Sequence, residues 1–314
     1  MCIPRRAVAL ALLAIAMFPH NSSAQSRLQE TSLRNRQALV DSSEISHRAR
    51  DLQARFESRR RHLLPRFDAG QPDRCLIVGR FCEWHPPNSQ DYVIPDEGNN
   101  IRRARAELLR DLEKAGNAVP GDDWIIGQRI RYLVEGHDSS AISTARSCKA
   151  TKWWCDALVG LALHVSGKFA AADSTFSVAL EEMPALTRCH WLNLSPLLDD
   201  DLRDAYRKMS CAQREAADAR IWWVADPLFM TPGNERRTEH FSRVLHTALQ
   251  QDAANTYGSR WGGDLAELTL RFGWAEKWTQ EPLGSMPGTQ VSIAGHEPEP
   301  GFHFFLTQRP SDTL

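Results

Sequence analysis

The sequence lacks several of the patterns by which common classes of protein are recognised. Lys and Arg number 38 against 39 Asp and Glu, and this balance argues against a nucleic-acid-binding protein. Beyond the N-terminal segment no apolar run is long enough to span a bilayer, so we expect no membrane span in the mature chain. Phosphate-binding glycine loops and the GxSxG motif are also missing. We therefore predict no catalytic residue, no cofactor and no metal ligand.

Residues 1–24 have the organisation of a secretory signal peptide. MCIPRR provides the positive start, AVALALLAIAMF the apolar core, and Ser22 and Ala24 the small residues expected before a cleavage point. The apolar core is shorter than a membrane helix. Cys2 precedes that core, which excludes it as a lipidated cysteine following one. We expect cleavage after Ala24 and an exported protein, either periplasmic or secreted.

Six cysteines follow this segment, and none of them forms a CxxC pair. A zinc ribbon or an attached haem is therefore disfavoured, whereas an even number of cysteines in an oxidising compartment favours disulfides. Fifteen pairings are open to six cysteines. We favour neighbours in the sequence, most firmly the first pair, because Gly79 lets the intervening chain turn. The predicted disulfide cysteines are Cys75, Cys82, Cys148, Cys155, Cys189 and Cys211.

Residues 25–98 are predicted to form an N-terminal helix and a disulfide-bearing loop region. Ile45, Ala49, Leu52 and Phe56 recur at helical spacing, which indicates a long amphipathic helix within residues 26–67. The basic run SRRRHLLPR at residues 58–66 is interpreted as a solvated helix face.

Residues 99–220 are predicted to be helical repeats. An apolar stripe opens this region, with the arginines and acids between its members expected to face water; its members are Ile101, Ala104, Leu108 and Leu112. Further on, ALVGLALHVSGKFAAADSTFSVALEEMPA has Gly160 where two helices approach, Gly167 at the turn and Pro184 at the end. This pattern resembles the tetratricopeptide repeat, a helix–turn–helix unit of roughly 34 residues.

A second, weaker copy of the repeat precedes the first. Gly136, Ala141 and Ala145 correspond to Gly167, Ala172 and Phe176, at an offset of 31 residues. Stacked hairpins of this family present an extended concave surface that binds peptides or proteins. Two interpretations stay open, a surface for a partner and a stack that only supports its neighbours.

Residues 221–314 are predicted to be a small α+β unit that resembles the GWxTD domain of exported bacterial proteins. The matching positions are Asp226-Pro227, Thr231-Pro232, Asn234-Glu235, Arg243, Trp261, Asp264 and Arg271-Phe272-Gly273. The chain departs from the family pattern at Arg260, at Gly263 and at Trp274, which directly follows the last glycine. The resemblance implies a domain and a strand ending at Arg271-Phe272-Gly273, and it implies no established activity. TLRFGW and QVSIAGHEPEPGFHFFL contain short β-prone runs separated by PLGSMPGT, which favours a small terminal sheet.

The charged segment NERRTEHFSR is explained largely as a helix start. Asn234 is a good N-cap, Glu235 falls in the first turn, and Glu239 and Arg243 stand four residues apart in the stabilising order. The acids at residues 199–201 are likewise interpreted as a helix start, because consecutive helical side chains point to different faces and cannot share a metal ion.

A polar cluster of the C-terminal unit is the candidate ligand-binding or structural site. Its residues are Asn234, Glu235, Arg237, His240, Asp264 and Arg271. One hypothesis is a buried salt-bridge network joining helix to strand, and the other is an anion pocket formed by Arg237 and Arg271. A hydrolase or metal-assisted site drawing on His240, Glu239, His296 and Asp264 is a third reading.

The sequence thus predicts a mainly α protein with an irregular tetratricopeptide-like hairpin stack and a small C-terminal α+β unit. The function predicted from it is that of a non-catalytic scaffold or adaptor, binding a protein or peptide partner in the cell envelope. The alternatives are the hydrolase or metal-assisted enzyme and a small-anion receptor.

Overall fold

The computed structural model describes the backbone of residues 22–67, 76–78, 81–83, 93–226, 232–282 and 291–296. Side chains are described at residues 37, 39–67, 93–200, 202–226, 232–280 and 292–296. These parts are mainly helical and include two antiparallel sheets of two strands each. The predicted fold class, mainly α with a small C-terminal α+β unit, is confirmed.

The chain divides into two compact units, Met1–Ser43 and Glu44–Leu314. Helix α1 spans Ser22–Leu63, which confirms the predicted long N-terminal helix. Within the first unit, the Gln37 amide donates to the Asp41 carboxylate one turn later, at 2.9 Å. All the following features belong to the second unit.

The predicted apolar stripe of the second helix is buried, but one of its arginines is buried too. Helix α2 spans Asn99–Ala118, and Ile101 and Leu112 are almost inaccessible to solvent. Arg102 and Arg103 face water as expected, whereas Arg105 is only 7% exposed. The expectation that the intervening arginines all face water is therefore wrong at Arg105, which pairs with the partly exposed carboxylates of Glu97 and Glu135.

Helices α3 to α6 form two consecutive helical hairpins. They are α3 Asp123–Glu135, α4 Ala141–Arg146, α5 Lys152–Val165 and α6 Phe169–Glu182. Asp122 caps α3 by accepting from the Ile125 amide at 3.0 Å. Gly167 has a φ of 70° at the tight turn between α5 and α6, a conformation that glycine adopts without a steric penalty.

Gly160 brings α5 and α6 into close contact. A Cβ atom at this position would lie 2.9 Å from the Phe176 ring, which is itself fully buried. The close approach predicted at Gly160 is therefore confirmed, and Ala172, Phe176 and Ala179 line the buried side of α6 as expected.

A disulfide-tied helical segment follows the hairpins. It contains α7 Ala185–Trp191, a 3-10 turn at Ser195–Leu197, α8 Asp200–Arg207 and α9 Cys211–Ala225. Asp199 caps α8 by accepting from the Leu202 amide at 3.1 Å, which confirms that this acidic run starts a helix.

Two of the predicted disulfides lie within the described residues. Cys148–Cys155 joins the end of α4 to α5, and Cys189–Cys211 joins α7 to the start of α9. Both confirm the pairing of sequence neighbours. The Cys75–Cys82 prediction lies outside the described side chains, although strands β1 Leu76–Val78 and β2 Phe81–Glu83 form an antiparallel hairpin there.

Helix α10, Glu235–Gln251, packs against α3, α5 and α6. Phe241 contacts Phe176 with ring centroids 5.7 Å apart, and a Leu249 methyl lies where a side chain at Gly127 would be. Phe241 and Leu245 are fully buried in the main hydrophobic core. The face shared by α3 and α5 is thus covered by a helix of the same chain.

The C-terminal unit contains one further helix and a sheet. Helix α11 spans Gly263–Phe272, so the strand predicted around Arg271-Phe272-Gly273 and TLRFGW is wrong. Leu265, Leu268 and Phe272 recur at helical spacing and all face a common core, and this burial outweighs the local β propensity. Gly273, with a φ of 103°, then ends the helix.

Within the predicted β-prone segment QVSIAGHEPEPGFHFFL, Val291–His296 forms strand β4, and the rest of the segment lies outside the described residues. Strands β3 Lys277–Pro282 and β4 Val291–His296 pair antiparallel, with Trp278 opposite Gly295. The segment after α1 lies parallel to β3 on its other side, because the Phe67 amide donates to the Gln280 carbonyl at 3.0 Å. Among the helices of the described residues, none is long and apolar enough to cross a membrane.

Candidate functional site

Asn234 links two helices at the start of α10. Its side-chain oxygen accepts from the Arg237 amide at 2.9 Å, which confirms the predicted N-cap. Its side-chain nitrogen donates to the Trp222 carbonyl of α9 at 2.6 Å. Asn234 therefore uses both ends of its amide to fix α10 against α9, and Glu235 occupies the first turn as predicted.

Arg237 is tied to α6. Its guanidinium forms an ion pair with Asp173, donates to the Ser177 hydroxyl at 3.1 Å and lies 4.9 Å from the centre of the Phe241 ring. Since a carboxylate already neutralises this side chain, Arg237 offers little charge to an external anion. Its contacts hold α10 to the second hairpin.

His240 is a core residue. It is 2% exposed, and its ring lies 5.1 Å from that of Trp222 and 5.4 Å from that of Phe241. Burial lowers the pKa of His240 to about 3, and the nearby Arg243 and Arg237 act in the same direction. The imidazole is therefore neutral at neutral pH and is packed as an aromatic ring.

Asp264 and Arg271 stand at opposite ends of α11. Asp264 lies in the first turn, where a negative charge complements the helix dipole. Arg271 pairs with Glu267 at 2.6 Å and donates from Nε to the Pro196 carbonyl at 2.8 Å. Like Arg237, Arg271 already has a carboxylate partner.

The six candidate residues do not form one network. Asn234 caps the helix through the Arg237 amide, whereas Arg237 and Arg271 pair with Asp173 and Glu267, which lie outside the set. The helix-to-strand network is not what the contacts show, because Arg271 lies in a helix and its partners are Glu267 and Pro196. The arrangement consists of separate ties between helices.

Arg243 provides the link between α10 and α11. Its guanidinium donates to the Leu270 carbonyl at 3.1 Å and the Arg271 carbonyl at 2.7 Å, and it pairs with Glu239. The predicted Glu239–Arg243 pair is confirmed, but Arg243 is 4% exposed and is not a surface residue. Carbonyls of the last turn of α11 are satisfied by this cation.

The residues of the hypothetical metal or hydrolase site lie in different surroundings. His296 is on β4, where its Nε2 lies 2.8 Å from the Thr279 hydroxyl. Burial and the nearby Lys277 lower the pKa of His296 to about 4. Among the described residues, no group of three or more His, Cys, Asp or Glu side chains is arranged to hold a metal ion.

A buried ionic network joins α1 to α3, and the sequence analysis missed it. The fully buried Glu57 carboxylate accepts from Arg131 at 3.2 Å, from the Tyr132 hydroxyl at 2.6 Å and from the Thr256 hydroxyl at 2.9 Å. Gln53 donates to the Tyr132 hydroxyl at 2.7 Å. These contacts connect the first helix to the segment that follows α10.

The network continues toward α2 through a second set of charges. Arg60, 2% exposed, pairs with Glu135 and, at 3.2 Å, with Glu97; Arg105 pairs with the same two acids. Burial by itself would raise the pKa of Glu135, but Arg60, Arg105 and Arg131 outweigh it and lower that pKa to about 2. Arg60 and Arg105 are buried and the Glu97 side chain is 21% exposed, so these charges act mainly on the fold.

A periodic signal for this network is present in the sequence. Gln53, Glu57 and Arg60 recur at helical spacing, as do Gln128, Arg131 and Glu135 on α3. The basic run at residues 58–66 is not one solvated face, because Arg59 faces water while Arg60 is buried. Polar residues that recur at helical spacing, as apolar residues do in a buried stripe, thus indicate a second buried face.

The outer side of the hairpins has a depression of about 460 Å³. It crosses α4, α5 and α6, with Ala145 and Val159 as its apolar part and Thr175 from α6 at one side. Lys152 at its edge is paired with Asp156 at 3.2 Å and with Glu182. Arg146 and Lys149 are exposed and have no ion-pair partner within the described residues.

In comparisons with known proteins, no family model, no curated protein and no solved structure matches the chain. The tetratricopeptide and GWxTD resemblances therefore stay predictions from the residues that carry them.

Proposed function

We propose that the protein is an exported, non-catalytic scaffold or adaptor that binds a protein or peptide through the outer surface of its helical hairpins. The signal-like N-terminal segment supports export, and two disulfides in the described residues are consistent with an oxidising compartment. The hairpin surface supports binding of a partner.

The location of the binding surface follows from the position of α10. Because α10 covers the face shared by α3 and α5, a partner has no access to it. The depression across α4, α5 and α6 is on the accessible side of the same hairpins. We place the partner there, and this depression is the single observation on which the proposal rests.

The chemistry of the depression favours an acidic partner segment. Arg146 and Lys149 are exposed cations beside the partly exposed apolar side chain of Val159. Such a surface suits a short peptide that has a small apolar side chain flanked by Asp or Glu. The Cys148–Cys155 disulfide fixes α4 against α5 and so preserves the shape of this surface without the partner.

A site-specific crosslinking experiment tests the proposal. A photo-activated phenylalanine analogue at Thr175, inside the depression, is expected to capture a partner from an envelope extract, whereas the same analogue at exposed Lys208 captures none. Arg146→Glu combined with Lys149→Glu is expected to abolish the capture from Thr175. Arg207→Glu combined with Lys208→Glu, which makes the same charge change on α8, is the matched control and should leave the capture intact.

Two results would contradict the proposal. Equal capture from Thr175 and Lys208 would show nonspecific adhesion. Undiminished capture after charge reversal at Arg146 and Lys149 would place the partner elsewhere.

A further inference from the structure

The last turns of α1 present a basic face that the proposed function does not use. Ser58 and Arg59 lie three and four residues after Arg55, and His62 lies four and three residues after them, so these side chains share one side of the helix. Arg60, between them, points into the buried network instead.

This basic face forms one wall of a depression of about 560 Å³ between α1 and the start of α2. The depression is lined by Arg55, Ser58, Arg59, His62, Leu63 and Asn100, and no acidic side chain is among them. Arg55 and His62 are exposed and have no hydrogen-bond or ion-pair partner within the described residues. The cations of the depression are therefore mostly available to a ligand.

The nearest acid competes only weakly for these cations. Glu107 of α2 lies 3.5 Å from Arg59, and both side chains are 57% exposed. Exposed pairs of this kind contribute at most about 1 kcal/mol and are screened by salt. An anion that contacts both Arg55 and Arg59 can displace this contact at small cost.

The start of α2 adds positive potential on the opposite side. Its N-cap is Gly98, which has no side chain to cap the helix, and its first turn contains no acid. Arg103 donates to the Asn100 side-chain oxygen at 2.6 Å, which leaves the Asn100 amide nitrogen as a donor. Arginines on α1 and Asn100 in the first turn of α2 thus line the same depression.

We propose that this depression binds a phosphate ester. A phosphate group has three terminal oxygens, which match guanidinium donors from Arg55 and Arg59 together with His62 and the Ser58 hydroxyl. The depression is much larger than one phosphate group, so the ester has room for a sugar or glycerol moiety. Leu63, 37% exposed, offers that moiety an apolar contact.

The test is calorimetric titration of the purified protein in 150 mM chloride with inorganic phosphate, glucose 1-phosphate and glucose. Saturable binding of one glucose 1-phosphate per chain is expected, with weaker binding of inorganic phosphate and none of glucose. Arg55→Gln combined with Arg59→Gln is expected to weaken binding at least tenfold. Because both side chains are exposed, the variant should keep its circular dichroism spectrum and its unfolding midpoint.

A matched control distinguishes the site from general attraction. Arg207→Gln combined with Arg220→Gln removes the same charge from exposed positions on α8 and α9 and should leave binding unchanged. Equal weakening in both double variants, or no saturable binding of either phosphate compound at millimolar concentration, would overturn the proposal.

Vesicles identify the source of the phosphate. The vesicles contain phosphatidylcholine with one-third phosphatidylglycerol. If they compete with glucose 1-phosphate and their binding requires Arg55 and Arg59, the natural ligand is a lipid headgroup. Absence of competition, with glucose 1-phosphate binding intact, indicates a soluble ester. Vesicle binding that persists in the Arg55→Gln, Arg59→Gln variant and does not compete would exclude the lipid at this site.

Discussion

His240 makes the stability of the fold sensitive to mild acid. In the folded protein its pKa is about 3, because the ring is buried between Trp222 and Phe241. In the unfolded chain a histidine has a pKa of about 6.5. The folded-state pKa is thus the lower one, so the stability that His240 contributes is fully present above pH 6.5 and is lost as the pH falls toward 3.

The magnitude follows from the difference between the two pKa values. Each unit corresponds to about 1.4 kcal/mol, so protonation of the unfolded chain at pH 5 removes about 2 kcal/mol relative to pH 7.5. His164, His246 and His296 also have lowered pKa values and act in the same direction. The total acid sensitivity is therefore larger than that of His240 alone, and a variant is needed to separate its share.

The assay is urea unfolding followed by tryptophan fluorescence at pH 7.5, 6.5, 5.5 and 5.0. His240→Phe keeps an aromatic ring in the core and removes the titrating group. Its free energy of unfolding is expected to fall about 2 kcal/mol less than that of the wild type between pH 7.5 and 5.0. His190→Gln, a change at an exposed position on α7, is the control and should follow the wild type.

An identical pH dependence for His240→Phe and the wild type would refute this reasoning. If His240→Phe changes the free energy of unfolding by the same amount at every pH, the substitution acts through packing alone. That result would show that the pKa of His240 does not differ between the folded and unfolded states.

Three further outcomes are expected. Burial raises the pKa of Asp218 to about 7 despite a hydrogen bond from the Tyr206 hydroxyl, so its contribution to stability is fully present below pH 4 and is lost as the pH rises through 7. In urea unfolding, the free energy of unfolding of Asp218→Asn should therefore rise by about 1–2 kcal/mol relative to the wild type between pH 5 and 8, with allowance for screening. Glu57→Gln removes a carboxylate from buried cations and should lower the free energy of unfolding at pH 7 by about 3–5 kcal/mol. A loss below about 1 kcal/mol would contradict a structural role of the buried network. Gly160→Ala should lower stability by about 1–2 kcal/mol in thermal unfolding, because the clash with Phe176 outweighs the better helix propensity of alanine; a stabilised variant would contradict the close approach.

Helical periodicity predicted the framework of the fold because it depends on local chemistry. Asn234 was identified as a helix cap, and the acids at residues 199–201 as a helix start, from residue type and position; the side chains of Asn234 and Asp199 accept backbone hydrogen bonds at those helix starts. Gly160 and Gly167 were placed correctly because only glycine fits a close helix contact or a φ of 70°.

Burial of charge was the part that the sequence analysis could not predict. Arg60, Arg105 and Arg243 were each expected on the surface, since an arginine on a helix is most often solvated. Each is buried because carboxylates or helix-end carbonyls from distant elements meet it there. The partners of Arg60 and Arg243 include groups of other helices, so the spacing of polar residues can indicate a buried polar face but not which groups pair there.

The strand expected at TLRFGW failed for a related reason. Thr269, Leu270 and Phe272 favour a strand locally, but Leu265, Leu268 and Phe272 share one core as successive turns of a helix. Tertiary packing decided between the two conformations. The predicted network of the candidate polar residues is not formed either, because it required that strand.

The ties between α1 and the segment after α10 set the order in which the molecule can be completed. Gln53 donates to the Ala254 carbonyl across 201 residues of sequence, and Thr256 donates to Glu57 across 199. During synthesis, the polar groups of the first helix therefore cannot form these hydrogen bonds until most of the chain has been made. A chain truncated before residue 254 should therefore leave these polar groups without their hydrogen-bond partners. Because contacts between such distant residues form slowly, we expect the whole protein to refold more slowly than the local α5–α6 hairpin.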